Sequence, residues 1–71
     1  MISIFRQDQR LADVEMIDGR LHVVSYHGTW VERLIEELRR HVLTDQIQTD
    51  QELYDSLPER LQGRLWASLP Y

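Results

Sequence analysis

The sequence LADVEMI-DG-RLHVVSY, residues 11–26, decides the fold. Its two halves alternate apolar and polar side chains and flank Asp18-Gly19, a pair that is favoured in two-residue type I′ turns. Such a turn sets Ile17 opposite Arg20 and thereby fixes the register of a β-hairpin. One face of this hairpin is apolar except for its last member, and it consists of Ala12, Val14, Met16, Leu21, Val23 and Ser25.

The opposite face of the predicted hairpin mixes charged with apolar side chains. Its members are Leu11, Asp13, Glu15, Ile17, Arg20, His22, Val24 and Tyr26. This face is too apolar to be left wholly to water, because one layer of helices covers only one side of a sheet. We expect the C-terminal segment, a second copy of the chain or another protein to cover part of it.

Two further elements adjoin the hairpin. Residues 2–5 (ISIF) read as a short strand that the polar loop 6–10 joins to the hairpin, which predicts a three-stranded antiparallel meander. The sequence TWVE, residues 29–32, has the form of a capping box at the start of a helix. The apolar residues that follow lie at helical spacing and form one stripe: Val31, Leu34, Ile35, Leu38 and Val42.

The C-terminal part predicts one or two short helices. A second capping box, TDQE at 49–52, would start the first of them, and Pro58 would end or kink it. Leu61, Leu65, Trp66 and Leu69 then repeat at nearly helical spacing. The predicted fold is therefore α+β, with a meander, one long amphipathic helix packed on it, and short C-terminal helices.

Composition limits the classes of function. The 71 residues predict one small domain, 1–71, without cysteine, which excludes disulfides and thiolate sites. No apolar run approaches the about 18 residues that cross a bilayer, and no signal peptide is visible, so we expect a cytoplasmic protein. The formal net charge of −4 argues against a uniformly basic surface that seeks phosphate.

We find no pattern typical of an enzyme. His22, His27 and His41 are not in metal-ligand spacing, no serine lies in a nucleophile motif, and the three glycines are isolated. We therefore predict no catalytic, cofactor-binding or metal-binding residue. The paired carboxylates Glu36 and Glu37 are most simply a solvated helix face.

Two groups of residues are candidates for binding a protein. Tryptophan and tyrosine dominate interface hot spots, and apolar side chains on a sheet face without a covering layer need a partner. The candidates on these two grounds are Leu11, Val24, Tyr26, Trp66, Leu69 and Tyr71. Core packing of Trp66 on the sheet is the alternative for that residue. An acidic stretch without a base could steer the chain to a basic partner, although acids at a helix start also favour the dipole. Its members are Asp45, Asp50, Glu52, Asp55 and Glu59.

These observations predict a small acidic interaction protein, an adaptor or inhibitor of a larger protein, with a homodimer as one form. Small inhibitors encoded by phages or mobile elements have this general character. The alternative is a regulator that binds RNA or DNA through Arg6, Arg10, Arg39 and Arg40. High salt would weaken phosphate contacts steeply and an apolar interface little, which separates the two functions.

Overall fold

A computed structural model describes residues 1–59, 61 and 65–69, with Glu59 described by its backbone alone. The fold is α+β, as predicted, but its antiparallel sheet has four strands in the order β3-β2-β1-β4 rather than three. The elements are β1 (Ile2–Arg6), β2 (Gln9–Ile17), β3 (Arg20–Tyr26), α1 (Val31–Thr44), α2 (Asp50–Ser56), a 3₁₀ turn (Leu57–Glu59) and β4 (Leu65–Ser68).

The hairpin of β2 and β3 confirms the predicted turn and most of the predicted register. Asp18 and Gly19 have φ values of 52° and 74°, and positive values at both central positions define a type I′ turn. Ile17 lies opposite Arg20, and the register continues as predicted as far as Val14 opposite Val23. Beyond that pair the register shifts by one residue.

The connection from β1 to β2 is shorter than the predicted loop at 6–10. Arg6 pairs with Gln9, so only Gln7 and Asp8 remain in the turn, and Gln7 has a φ of 56°. A second register shift lies between Ile4 and Phe5 of β1, where β2 contains one additional residue, Leu11. The sheet therefore contains two β-bulges, one on each side of β2.

The C-terminal segment corrects the predicted helix over 61–69, because residues 65–68 form strand β4. This strand pairs antiparallel with β1, with Trp66 opposite Phe5 and Ser68 opposite Ser3. The physical reason is tertiary. Without β4 the outer backbone groups of β1 would lie at a sheet edge, and their hydrogen bonds outweigh the weak helical spacing of four apolar residues.

Helix α1 buries the predicted stripe, although it begins differently from the prediction. Its N-cap position is Trp30, which makes no side-chain capping bond, so the first predicted capping box does not form. The Glu32 amide donates to the Thr29 carbonyl at 3.2 Å. The Glu32 carboxylate instead accepts a hydrogen bond from the Tyr26 hydroxyl at 3.0 Å.

Helix α2 begins at the second predicted cap and is fastened to the sheet there. The Thr49 hydroxyl accepts from the Glu52 amide at 3.2 Å. Asp50 accepts from the Met16 amide at 2.6 Å and from the amino group of Met1 at 2.7 Å. The helix ends at Ser56, and Pro58 lies in the 3₁₀ turn that follows.

The core lies between the helices and one face of the sheet. The largest group of buried side chains joins the strands to both helices and the loop between them: Ile2, Ile4, Val14, Leu21, Leu38, Val42, Ile47, Leu53 and Leu57. A second group lies where β2 passes under the start of α1: Leu11, Ala12, Val31 and Ile35.

The substitution Gly19→Ala should lower the free energy of unfolding by about 1–2 kcal/mol, the usual cost of a left-handed conformation for a residue with a Cβ. The Cβ would lie 2.7 Å from Oε1 of Gln48, but that side chain can move, so the backbone conformation dominates. Urea denaturation measures the change. Asp18→Asn is the control and should be neutral, because asparagine tolerates the same conformation.

Asp50 should make stability dependent on pH in the acid range. Partial burial raises the pKa of Asp50, but the hydrogen bonds from the Met1 amino group and the Met16 amide, with the charge of that amino group, outweigh burial and lower it. A lowered pKa in the folded state contributes stability above the unfolded pKa, and this is lost as the pH falls through the folded value.

Asp50→Asn should therefore cost about 1 kcal/mol at pH 7, and the difference from the original chain should shrink below about pH 4. Denaturation at pH 7 and pH 3 measures both quantities. A difference that stays constant between the two would contradict the charged contact.

Candidate functional site

The face of the sheet opposite the helices, here called the open face, is the first candidate surface. Within the described ranges, both helices pack on the face that carries Ile2, Ile4 and Val14. Alternation along the strands places the neighbouring residues on the other side. The open face therefore carries Ser3, Phe5, Arg10, Asp13, Ser25 and Trp66.

A polar row crosses the open face from strand to strand. Asp13 in β2 accepts hydrogen bonds from the hydroxyls of Ser3 in β1 at 2.6 Å and Ser25 in β3 at 3.0 Å. Arg10 Nη1 lies 3.8 Å from the same carboxylate. Asp13 is only 6% exposed, so these partners replace the water that a carboxylate would otherwise need. The row thereby links β1, β2 and β3 at one position along the strands.

An aromatic row lies beside the polar one. The rings of Phe5 and Trp66 stack with centroids 4.4 Å apart and planes 11° apart. The Arg10 guanidinium lies 5.7 Å from the Phe5 ring centre, within cation–π range. The Trp66 indole N–H donates to the Gln7 carbonyl at 2.9 Å. Trp66 is thereby fixed in orientation while remaining 46% exposed.

The predicted protein-binding residues do not form one patch. Val24 and Tyr26 are 49% and 45% exposed and belong to edge strand β3. Trp66 belongs to β4 at the other edge, three strand spacings or about 14 Å away. Leu69 is partly buried against the core. Tyr71 lies outside the described residues.

Leu11 does not lie on a binding surface, contrary to the prediction, because it is fully buried and belongs to the core under α1. The bulge at this residue turns its side chain from the open face to the helix side. The bulge at Val24 has a similar effect on the next residues. Ser25 bonds to Asp13 on the open face, and Tyr26 reaches Glu32 on the helix side, which reverses the faces predicted for both.

Tyr26 joins the end of β3 to the start of α1 through its hydroxyl. This hydrogen bond to Glu32, then the negative charge of Glu32, and then burial raise the pKa of Tyr26. Tyr26 therefore remains a neutral hydrogen-bond donor at physiological pH. Its ring is half exposed beside the outer edge of the sheet.

The predicted acidic group is engaged in local structure to different degrees. Asp50 fastens α2 to the sheet. Glu52 belongs to the helix cap with Thr49, and Asp55 accepts from Gln51 at 2.9 Å. Asp45 lies beside His41. The side chain of Glu59 lies outside the described residues.

His41 is a buried residue whose environment sequence reasoning missed. The Ser56 hydroxyl donates its proton to the Leu53 carbonyl at 2.7 Å. His41 Nε2, 2.8 Å from that hydroxyl, must then be the donor to it. Nδ1 lies 3.1 Å from a carboxylate oxygen of Asp45 without hydrogen-bond geometry. The contacts join α1 to α2, which is a structural role.

The four predicted nucleic-acid-binding arginines point to different parts of the surface. Arg10 lies over Phe5 on the open face, whereas Arg6 lies 5.7 Å from the ring centre of Trp30. Arg39 Nη1 donates to the Leu21 carbonyl at 2.8 Å. Arg40 is exposed on α1, about 100° around the helix from Arg39. The described residues thus show no common basic face made by these side chains.

Among the described residues, no three histidine or acidic side chains come together in a way that could hold a metal ion. None of the helices in the described ranges is long and apolar enough to cross a membrane.

Asp13→Ala should destabilise the chain by about 1–3 kcal/mol, because two hydroxyls lose their acceptor in a shielded position. Chemical denaturation measures this loss. Glu37→Ala, an exposed helix position, is the control and should stay within about 0.5 kcal/mol. Adding Ser3→Ala and Ser25→Ala to Asp13→Ala should recover part of the loss; a further loss would contradict the assigned network.

Comparison with protein-family models, with curated proteins and with solved structures gives no match to this chain, so what it does has to be inferred from its own surfaces.

Proposed function

We propose that this chain is a protein–protein interaction module, an adaptor or an inhibitor of a larger protein, that acts in the cytoplasm by binding rather than by catalysis. The observation that carries the proposal is the row of Arg10, Phe5 and Trp66 on the open face. The proposed contact surface is this row and the polar side chains around it.

The chemistry of the row supports a protein partner. Tryptophan, phenylalanine and arginine are enriched at protein interfaces relative to the rest of the surface. Trp66 is already held by the Phe5 ring and the Gln7 carbonyl, so binding costs little further ordering of its side chain. Tryptophan is also one of the residues most enriched at interface hot spots.

The acidic residues Asp45, Glu52 and Asp55 have a secondary part in the proposal. All three are exposed and lie in or before α2. Surface charges of one sign raise the rate of encounter with an oppositely charged partner more than they raise affinity. A partner with a basic surface would gain from them.

The alternative of RNA or DNA binding has less support. Phosphate binding needs several basic side chains along one surface. The four arginines of that hypothesis are spread over separate parts of the surface, and three of them already contact Trp30, Phe5 or the Leu21 carbonyl.

Two tryptophans of nearly equal exposure provide a matched test. Trp66 is 46% exposed on the open face and Trp30 is 48% exposed at the start of α1. We expect Trp66→Ala to lower capture of the partner from the source lysate at least about tenfold, as hot-spot truncation does. Trp30→Ala should capture as much as the original chain. Quantitative mass spectrometry of the captured proteins measures both.

Arg10→Gln guards against a trivial loss of fold in Trp66→Ala, because glutamine removes the charge but can still donate a hydrogen bond to Asp13. Arg10 is well exposed and borders the aromatic row, so this variant should also lose the partner while its circular dichroism spectrum stays unchanged. Equal capture by all variants would reject the open face as the binding surface. Capture that disappears after nuclease treatment would reject the protein-binding proposal in favour of nucleic acid.

A further inference from the structure

The outer edge of β3, together with the flank of α1 beside it, forms a second surface. Strand β3 stands at the edge of the sheet. Ile17 and Arg20 form the pair that closes the hairpin. Because hydrogen-bonded and non-hydrogen-bonded pairs alternate along an antiparallel ladder, the backbone N–H and C=O groups of Leu21 and Val23 point away from β2. Arg39 of α1 covers one of them, donating to the Leu21 carbonyl at 2.8 Å. The strip from the hairpin turn to Tyr26 is here called the β3 strip.

The β3 strip has a basic half. A depression of about 550 Å³ begins at the hairpin turn and ends at Arg39. Its charged lining consists of Arg20, Arg39 and Asp18, with His22 beside them. The charges of Arg20 and Asp18 balance, so the net positive charge of this half at neutral pH comes from Arg39.

The β3 strip has an acidic half on the other side of Arg39. A depression of about 240 Å³ lies between the end of β3 and the first two turns of α1. Its lining includes Val23, Tyr26 and Ile35 together with the carboxylates of Glu32 and Glu36. Arg39 lines both depressions, so the two halves adjoin along one strand of seven residues.

Exposed apolar groups lie along the whole β3 strip. Ile17 is 46% exposed at the basic end, Val24 is 49% exposed near the middle, and Tyr26 is 45% exposed at the acidic end. A partner that covered the strip would remove all three from water, and burial of apolar surface is the main favourable term in association.

We propose that the β3 strip binds a second copy of this chain. In the dimer the two β3 strands run antiparallel about a two-fold axis beside Val23. This places the Arg20 end of each strip beside the Glu32 end of the partner subunit's strip and buries Val24 and Tyr26 of both. The two Val23 residues face each other at the centre.

The pattern of charge is the reason for choosing a second copy as the occupant. A two-fold interface brings the same patch of both subunits together, so the patch must be complementary to itself. A strip that is basic at one end and acidic at the other meets this condition when it is turned through 180°. A uniformly basic partner would fit only the end with Glu32 and Glu36, and a nucleic acid would fit only the end with Arg20.

The inference deepens the proposed interaction function but uses the edge of the sheet opposite to the one that carries Trp66, so the two can fail separately. Arg39 and the bulge at Val24 limit backbone pairing along this edge. The dimer therefore depends largely on side chains and charge, and its affinity should fall with ionic strength.

Charge reversal tests the dimer, because the effects of the two single substitutions should cancel in the double variant. Sedimentation equilibrium of the original chain, at concentrations up to about 1 mM, should show a mass that rises from 8.5 kDa toward twice that value. Arg20→Glu and Glu32→Arg should each weaken association at least about tenfold, because each turns two attractions into two repulsions in a two-fold dimer. The double variant should restore association, since the two exchanged charges would again be opposite in sign across the interface.

Controls separate this result from loss of fold and from the open face. Arg33→Glu changes the net charge as Arg20→Glu does, but it lies outside both depressions and should leave the dimer intact. Trp66→Ala should also leave it intact. A monomer at every concentration, single reversals without effect, or a double variant that stays dissociated would each overturn the proposal. A monomer in which Arg20→Glu weakens capture of a different protein would assign the strip to that protein instead.

Discussion

The pairing of β2 with β3, fixed by the two-residue turn at Asp18-Gly19, is the constraint on which the rest of the structure depends. Side chains alternate along a strand, so a slip of one residue would turn Val14 from the core to the open face. The same register aligns Asp13 with Ser25 after the bulge and leaves β2 free to pair with β1 on its other side. Both helices then pack on an apolar face that exists only in this register.

The two bulges determine what each face of the sheet presents. One turns Leu11 inward beneath α1, and the other allows Tyr26 to reach Glu32 while Ser25 stays on the open face. A bulge adds one residue and locally bends the strand. Without the bulge at Leu11, strict alternation along β2 would place this apolar side chain on the same face as Asp13. The open face and the β3 strip are consequences of the same two insertions.

Local signals predicted the parts of the fold that local interactions determine. The hairpin turn, the buried stripe of α1 and the cap at Thr49 each depend on residues within a few positions of one another. Strand β4 depends on Phe5, about sixty positions away, and helical spacing of four apolar residues could not reveal that partner. The bulges likewise arise from how three strands fit together. For the candidate site, the enrichment of tryptophan at interfaces indicated Trp66 from the sequence. Its stacking partner and its separation from Tyr26 could be seen only in the folded structure.

The pairing of β4 with β1 also has a consequence for the order of folding. Strand β1 belongs to the first residues of the chain and β4 to the last ones described, so their ladder has a high contact order and closes late. While the chain is being synthesised, the hairpin and α1 can assemble before residues 65–68 emerge. During that interval the backbone of β1 is a bare edge, open to strands of other nascent chains. Strand β4 thus covers an edge of β1 that would otherwise be open to other chains.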